Sequence, residues 1–210
     1  METSPIRLLL VAALAACLLV GIARDAVAAP VDDLLARLNT IERLQGLFEQ
    51  QQFGDDGEIL LASSGNFRIL RPGYFAWEIT EPDSQLVLAD PDYLWHHDRD
   101  LETVTRRPVA GEQMAPLQVL GGDEQLLRER FDVSSDAANR FTLVPAEGDP
   151  GFRNLTLEFR DGQLSSMDII DRLNQRVSVQ FSDLDADSEL TPADFAFQPP
   201  PDADLFYYDE

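Results

Sequence analysis

The chain has 210 residues, 38 acidic and 16 basic side chains and a formal charge of −22, and every basic residue is an arginine or one of two near-neutral histidines. Such a charge excludes nucleic acid and anionic membrane surfaces as partners, and its plain reading is a solubilising surface, as a saline habitat would favour. The length suits one domain, or at most two small ones.

The start of the chain reads as a secretory signal. Arg7 precedes an apolar run from Leu8 to Ile22, and Ala26-Val27-Ala28-Ala29 offers small residues for cleavage. The run is shorter than the roughly 20 residues of a spanning helix. The single cysteine, Cys17, ends Leu14-Ala15-Ala16-Cys17, which resembles a bacterial lipobox; the residues after it, Leu18 to Ile22, stay apolar and favour ordinary cleavage near Ala28 or Ala29. Residues 1–29 are thus assigned to the signal and 30–210 to one domain. The mature chain then has no thiol chemistry, and it keeps its charge of −22 because Glu2 and Asp25 leave with Arg7 and Arg24.

From Val31 to Leu44, apolar residues fall three and four apart (Val31, Leu34, Leu35, Leu38, Ile41, Leu44) with Asp32, Asp33, Arg37 and Glu42 between them. That spacing predicts one amphipathic helix, with its two aspartates at the positive N-terminal end. Short strands follow: Leu47–Phe53, Glu58–Ser63, Phe67–Arg71, Tyr74–Thr80, Gln85–Ala89, Tyr93–Asp98 and Leu101–Arg106, with turns at Asp55-Asp56-Gly57, Pro72-Gly73, Pro82-Asp83 and Asp90-Pro91-Asp92. After Pro108, Ala115–Gly121 and Asp123–Arg130 read as two short helices. Strands resume at Phe131–Val133 and Arg140–Val144. In the last block Leu155, Leu157 and Phe159 alternate with Asn154, Thr156, Glu158 and Arg160 before the hairpin signal Asp161-Gly162, and Leu164–Asp171 and Gln175–Phe181 follow. The pattern predicts about eleven strands in an antiparallel sandwich, barrel or curved sheet, with one N-terminal helix and a central helical interruption. Leu205-Phe206-Tyr207-Tyr208 is an apolar tail after the rigid Pro199-Pro200-Pro201.

One stretch stands out, Gly65–Glu78. By strand parity Phe67, Ile69 and Arg71 share a face, and Phe75, Trp77 and Ile79 form an apolar face on the next strand. A guanidinium keeps its proton, so on an apolar face it needs oxygen partners close by; as an edge-strand arginine it would reach into water instead. Catalytic signatures are missing. His96 and His97, the two histidines, are adjacent and point to opposite faces of a strand, so they do not share a metal, and no third ligand is spaced nearby. There is no GxSxG elbow, phosphate loop or dinucleotide fingerprint, and in so acidic a chain the carboxylate pairs carry no information about acid–base catalysis. No cofactor is implied.

Arg71-Pro72-Gly73-Tyr74-Phe75-Ala76-Trp77-Glu78, Gln85-Leu86-Val87 with Asp90, and Tyr93-Leu94-Trp95 carry a resemblance of the mature chain to the periplasmic outer-membrane lipoprotein carrier family, LolA. It continues through Leu101–Thr105, Ala115-Pro116-Leu117, Gly162 and Asp194–Pro200, in the right order from about residue 31 to 204. It implies an unclosed antiparallel β-barrel covered by a helical lid, with no enzymatic activity. Phe67, Ile69, Phe75, Trp77, Leu86 and Trp95 would form an acyl-chain cavity or its wall, and Leu34, Leu38, Pro116, Leu117, Val119 and Leu120 the lid. Arg71 would latch that lid by bonding its backbone oxygens.

The implied cargo is a triacylated lipoprotein, loaded by an ATP-driven inner-membrane release complex and passed to an outer-membrane receptor lipoprotein, with the carrier working as a monomer in the periplasm. Family members often carry an aromatic where His96 and His97 stand. Two other readings stay open: a membrane-tethered receptor of related fold, if Cys17 is acylated, and a periplasmic hydrolase.

Overall fold

The computed structural model describes residues 29–109, 119–121, 124–137, 139–147 and 151–208. Residues 1–28 of the signal segment, Cys17 among them, and Pro116 and Leu117 therefore lie outside the described residues.

Helix α1 (Pro30–Asn39) begins with proline in its first turn, carries Asp32 and Asp33 at the positive end and Arg37 at the negative end, and buries Leu34, Leu35 and Leu38. It stops five residues short of the expected end. Thr40 caps it, its hydroxyl donating to the Arg37 carbonyl at 2.7 Å, and strand β1 (Arg43–Phe53) begins at once. Ile41 and Leu44 fit a helical period, but Leu44, Gly46 and Phe48 equally fit a period of two. The sheet decides: Leu44 pairs with Ile69 across the ladder.

The strands that follow are β2 (Ile59–Leu70), β3 (Tyr74–Glu81), β4 (Gln85–Ala89), β5 (Tyr93–Asp98) and β6 (Thr103–Pro108). Helix α2 (Glu124–Arg130) then leads into β7 (Phe131–Ala137), β8 (Arg140–Pro145), β9 (Phe152–Arg160), β10 (Gln163–Asp171), β11 (Arg176–Asp185) and, last, β12 (Asp204–Tyr207). The two strands read on either side of Gly65 are one. A Cβ at Gly65 would sit 1.8 Å from the Glu78 carbonyl oxygen, so the glycine lets β3 approach without breaking β2.

The twelve strands among the described residues form one sheet in the order β12-β6-β5-β4-β3-β2-β1-β11-β10-β9-β8-β7. Its two ends, β12 and β7, do not meet, so the sheet is unclosed; the architecture is mainly β, with one strand more than expected. Every pairing is antiparallel except β12 with β6. The Asp161-Gly162 turn joins β9 to β10 with both residues at positive φ, as the sequence signal requires.

Residues from β1 to β4 and from β7 to β11 meet in a single buried cluster with Leu34, Leu35, Leu38, Val119, Leu120 and Leu127. Strands so far apart in the order share one core only if the sheet curls around it, so this is the inner face, and the helical segments lie against it. A second, smaller cluster occupies the outer face: Leu70, Ala76, Leu86 and Leu88 against Leu190 and Phe195, with Tyr74, Trp95 and Phe197 packed on it. The chain after β11 makes this outer layer, through a 3-10 turn at Pro192–Phe195, before it joins the edge beside β6.

Candidate functional site

The centre of the inner face is aromatic. In the β2–β3 register Phe67 lies opposite Trp77 and Ile69 opposite Phe75, all four turned inward and buried. The Trp77 ring stacks on Phe48 with centroids 3.7 Å apart and lies 6.1 Å from Phe75, while Phe67 meets Phe181 edge-on at 5.1 Å. Leu34 and Leu38 of α1 and Val119 and Leu120 of the helical turn at residues 119–121 seal against this cluster with no more than 2 % of their surface exposed.

Arg71 follows directly on β2, where its N–H donates to the Glu42 carbonyl at 2.9 Å. Its guanidinium reaches two parts of the cover: Nη1 donates to Asn39 Oδ1 at 3.3 Å, at the last residue of α1, and Nη2 donates to the Leu120 carbonyl at 3.1 Å. Nε is buried and has no hydrogen-bond partner among the described residues. Burial pulls the guanidinium pKa down to about 10, so it stays charged at neutral pH. Both acceptors are uncharged oxygens. Such bonds are each worth about 1.5–3 kcal/mol when the donor is ionised, less than the loss of a desolvated ion pair.

A second arginine, not singled out in the sequence, fastens the other flank of the cover. Arg37 of α1 lies over the rings of Phe141 and Phe159, 5.6 and 5.5 Å from their centroids, and donates to Asn139 Oδ1 at 3.0 Å. In the sequence Arg37 is only one of the charged residues set between the apolar positions of the helix. Asn39 and the Leu120 carbonyl carried no signal at all. At the exposed rim Arg128 of α2 joins Asp32 of α1 at 2.7 Å.

Leu86 and Trp95 are not on the inner face. Leu86 lies opposite His97 and belongs to the outer cluster, and Trp95 packs on Phe197 at 5.3 Å and Tyr207 at 6.4 Å. Their inner neighbours Val87 and Leu94 take the expected places. Both parities of β4 are apolar (Gln85-Leu86-Val87-Leu88-Ala89), so the sequence could not say which set faces inward. His96 and His97 do point to opposite faces: His96 shares the inner side with Val87, and His97 is buried outside against Phe197, 5.7 Å between rings. No group of three or more His, Cys, Asp or Glu residues that could hold a metal occurs among the described residues.

Beyond the aromatic centre the inner face opens toward β6 in a hollow of about 300 Å3 lined by Val87, Leu94, His96, Thr105 and Arg107. Another, of about 400 Å3, lies at the far end of β1–β3 between Gln50, Ser63, Glu81 and their neighbours. No described helix is long and apolar enough to cross a membrane.

The family described as outer membrane lipoprotein carrier protein LolA matches residues 39–198. A protein of Alkalilimnicola ehrlichii named outer-membrane lipoprotein carrier protein is 35% identical over 174 residues, covering 82% of this chain and 81% of the relative. A Halorhodospira halophila protein of the same name is 34% identical over 80% of this chain and 81% of its own. One from Pseudomonas aeruginosa is 32% identical over 95% and 97%. Among solved structures, an uncharacterized conserved protein from Thermus thermophilus covers 84% of this chain and 98% of itself with a TM-score of 0.54 at 11% identity, a likeness of fold alone. The chain belongs to the LolA family of outer membrane lipoprotein carrier proteins.

Proposed function

We propose that the protein is a periplasmic carrier, not a catalyst, that shelters the acyl chains of triacylated lipoproteins on its inner face. It takes them from an ATP-driven inner-membrane release complex and passes them to an outer-membrane receptor lipoprotein. Residues 1–29 are the signal that directs it there, and 30–210 form the single carrier domain, working as a monomer.

The observation that carries this reading is the Arg71 clasp on Asn39 and Leu120 over the aromatic centre. An apolar sheet face left open would exceed the few hundred Å2 of contiguous apolar surface that soluble monomers show, so the empty carrier needs a cover. Loading needs the cover to move. A fork of charge-assisted bonds to neutral oxygens is strong enough to close α1 and the turn at residues 119–121 on the sheet, and weak enough for cargo to displace.

Energetics explain why machinery is required. Each buried methylene is worth about 0.8 kcal/mol, so an acyl chain of about fourteen loses near 11 kcal/mol on entering water. A cavity that returns most of that makes transfer from bilayer to carrier close to balanced. Direction then comes from the partners, since this chain holds no nucleotide-binding motif of its own.

The test is to incubate the purified mature protein with inner-membrane vesicles, ATP and a labelled lipoprotein. A soluble, equimolar complex that depends on ATP is expected; label that stays with the vesicles overturns the proposal. Mass spectrometry of the mature N-terminus is expected to show an unmodified start near Ala29 or Pro30, whereas a diacylglyceryl group on Cys17 would make the protein a tethered receptor.

A further inference from the structure

The inner face is not uniform from β3 to β6, and its change of character follows the ladder. Trp77 lies opposite Val87, Val87 opposite His96, and His96 opposite Thr105. One row over, Phe75 lies opposite Ala89, Ala89 opposite Leu94, and Leu94 opposite Arg107. Directly opposed residues share a face, so these are two parallel rows across four strands, each spanning about 14 Å at the usual strand spacing. Both begin on a buried ring under the helical cover and end on a hydrogen-bonding side chain beside the sheet edge.

The hollow of about 300 Å3 sits on the polar half of these rows. Its volume is at the lower end of the roughly 300–1,000 Å3 of small-molecule sites, enough for a polar head but not for a whole lipid. The chemistry of the lining is selective. The Arg107 guanidinium donates and never accepts, and Thr105 carries a hydroxyl. His96 faces the Gln85 amide oxygen at 3.4 Å, and the Arg107 guanidinium also lies 5.0 Å from the Tyr208 ring. Asp98, two residues beyond His96 on the same face, is 3.5 Å from the Gln85 amide nitrogen.

We infer that this hollow is a subsite for the uncharged head of an acylated N-terminus, its Arg107, Thr105 and His96 side chains donating to the ester and amide carbonyl oxygens while the chains run back along the rows toward Phe75 and Trp77. Those carbonyls accept and never donate, which is what a donor-rich pocket at the end of an apolar track selects. The inference rests on the carrier reading above.

The test measures binding of a synthetic triacylated cysteinyl peptide and, separately, of an alkyl-chain fluorophore without carbonyl groups. Thr105→Val and His96→Phe keep shape, and Arg107→Leu removes the strongest donor; urea unfolding checks that each variant folds. Each substitution is expected to weaken the lipopeptide several-fold, Arg107→Leu by about tenfold, and to leave the alkyl probe unchanged. Lipopeptide affinity unchanged in all three folded variants overturns the subsite and leaves the carrier intact. A wild-type protein that binds neither probe overturns the carrier reading itself. A loss found with phosphatidylglycerol and absent with the lipopeptide assigns the donors to a phosphate and overturns the assignment to carbonyls.

Discussion

The same three strands, β2 to β4, are covered on both faces, and the two covers are held in different ways. On the inner face α1 and the turn at residues 119–121 lie against the aromatic centre, and side chains fasten them: Arg71 to Asn39 and Leu120, and Arg37 to Asn139. On the outer face the chain from Leu190 to Phe197 packs over Leu70, Ala76 and Leu88 and then enters the sheet itself. Asp204 N–H donates to the Glu102 carbonyl at 2.8 Å and Tyr208 N–H to the Arg106 carbonyl at 3.0 Å, at the two ends of the β12–β6 ladder. The Arg106 guanidinium lies 4.4 Å from both the Tyr93 and Tyr207 ring centroids. One cover is stitched into the backbone. The other is pinned by a few side chains, the arrangement that the proposed carrier needs if one face is to open while the other stays shut.

The largest effect expected from breaking this contrast is on the stitched side. Phe195 is almost fully buried among Tyr74 and the outer cluster, and the Arg68 guanidinium lies 5.9 Å from its ring. Phe195→Ala is expected to cost about 3–5 kcal/mol of global stability, read as a fall in the urea midpoint. A loss under about 1 kcal/mol would mean the outer layer is as easily released as the inner one. In that case the contrast fails.

Arg71→Leu is expected to act the other way round. It leaves the Leu120 carbonyl without its donor and frees one flank of the cover, for a global cost of about 1–3 kcal/mol. Its signature is a clear rise in binding of a fluorescent dye to exposed apolar surface, which Phe195→Ala at the same residual stability does not share. Arg71→Lys sharpens the point. An ammonium keeps the charge but lacks the fork that spans Asn39 and Leu120, so dye binding is expected to fall between wild type and Arg71→Leu. Equal dye binding in all three proteins would remove the clasp from the account.

How much of this could be read in advance depends on which faces were unambiguous. The late hairpin was legible because Leu155, Leu157 and Phe159 alternate strictly with polar residues around a turn signal that admits one geometry. Arg71 was legible as an anomaly, a fixed charge in step with Phe67 and Ile69, although its partners were not. Asn39 lies 32 residues away in sequence and Leu120 lies 49 away, and a backbone carbonyl has no sequence signature. Strand β4 was opaque for the opposite reason. It is apolar on both faces because both faces are covered, so parity could not assign Leu86, and with it Trp95, to the outer layer. The outer layer itself was missed because Leu205 to Tyr208 follow three prolines and pair in parallel with a strand far earlier in the chain, which no local pattern announces.

The smallest expected effect is also the one that separates the covers by pH. His97 packs under Phe197 in the stitched layer, and burial first, then the nearby Arg99 and His96, lower its pKa from 6.5, against the opposing pull of Asp98 and Asp202. The folded state therefore holds this proton less tightly than the unfolded chain, whose imidazole titrates near 6.5. The resulting stabilisation is complete above that value and is lost as pH falls through the lower, folded-state pKa. Between about pH 7.5 and 5, wild type is expected to lose more stability than His97→Phe, with no accompanying rise in dye binding, because the inner cover has no part in this titration. Parallel pH profiles for the two proteins would show that the imidazole is not confined as the outer packing requires. A rise in dye binding on acidification of wild type, absent in His97→Phe, would show instead that the two covers are coupled through β4 and β5, whose residues serve both faces.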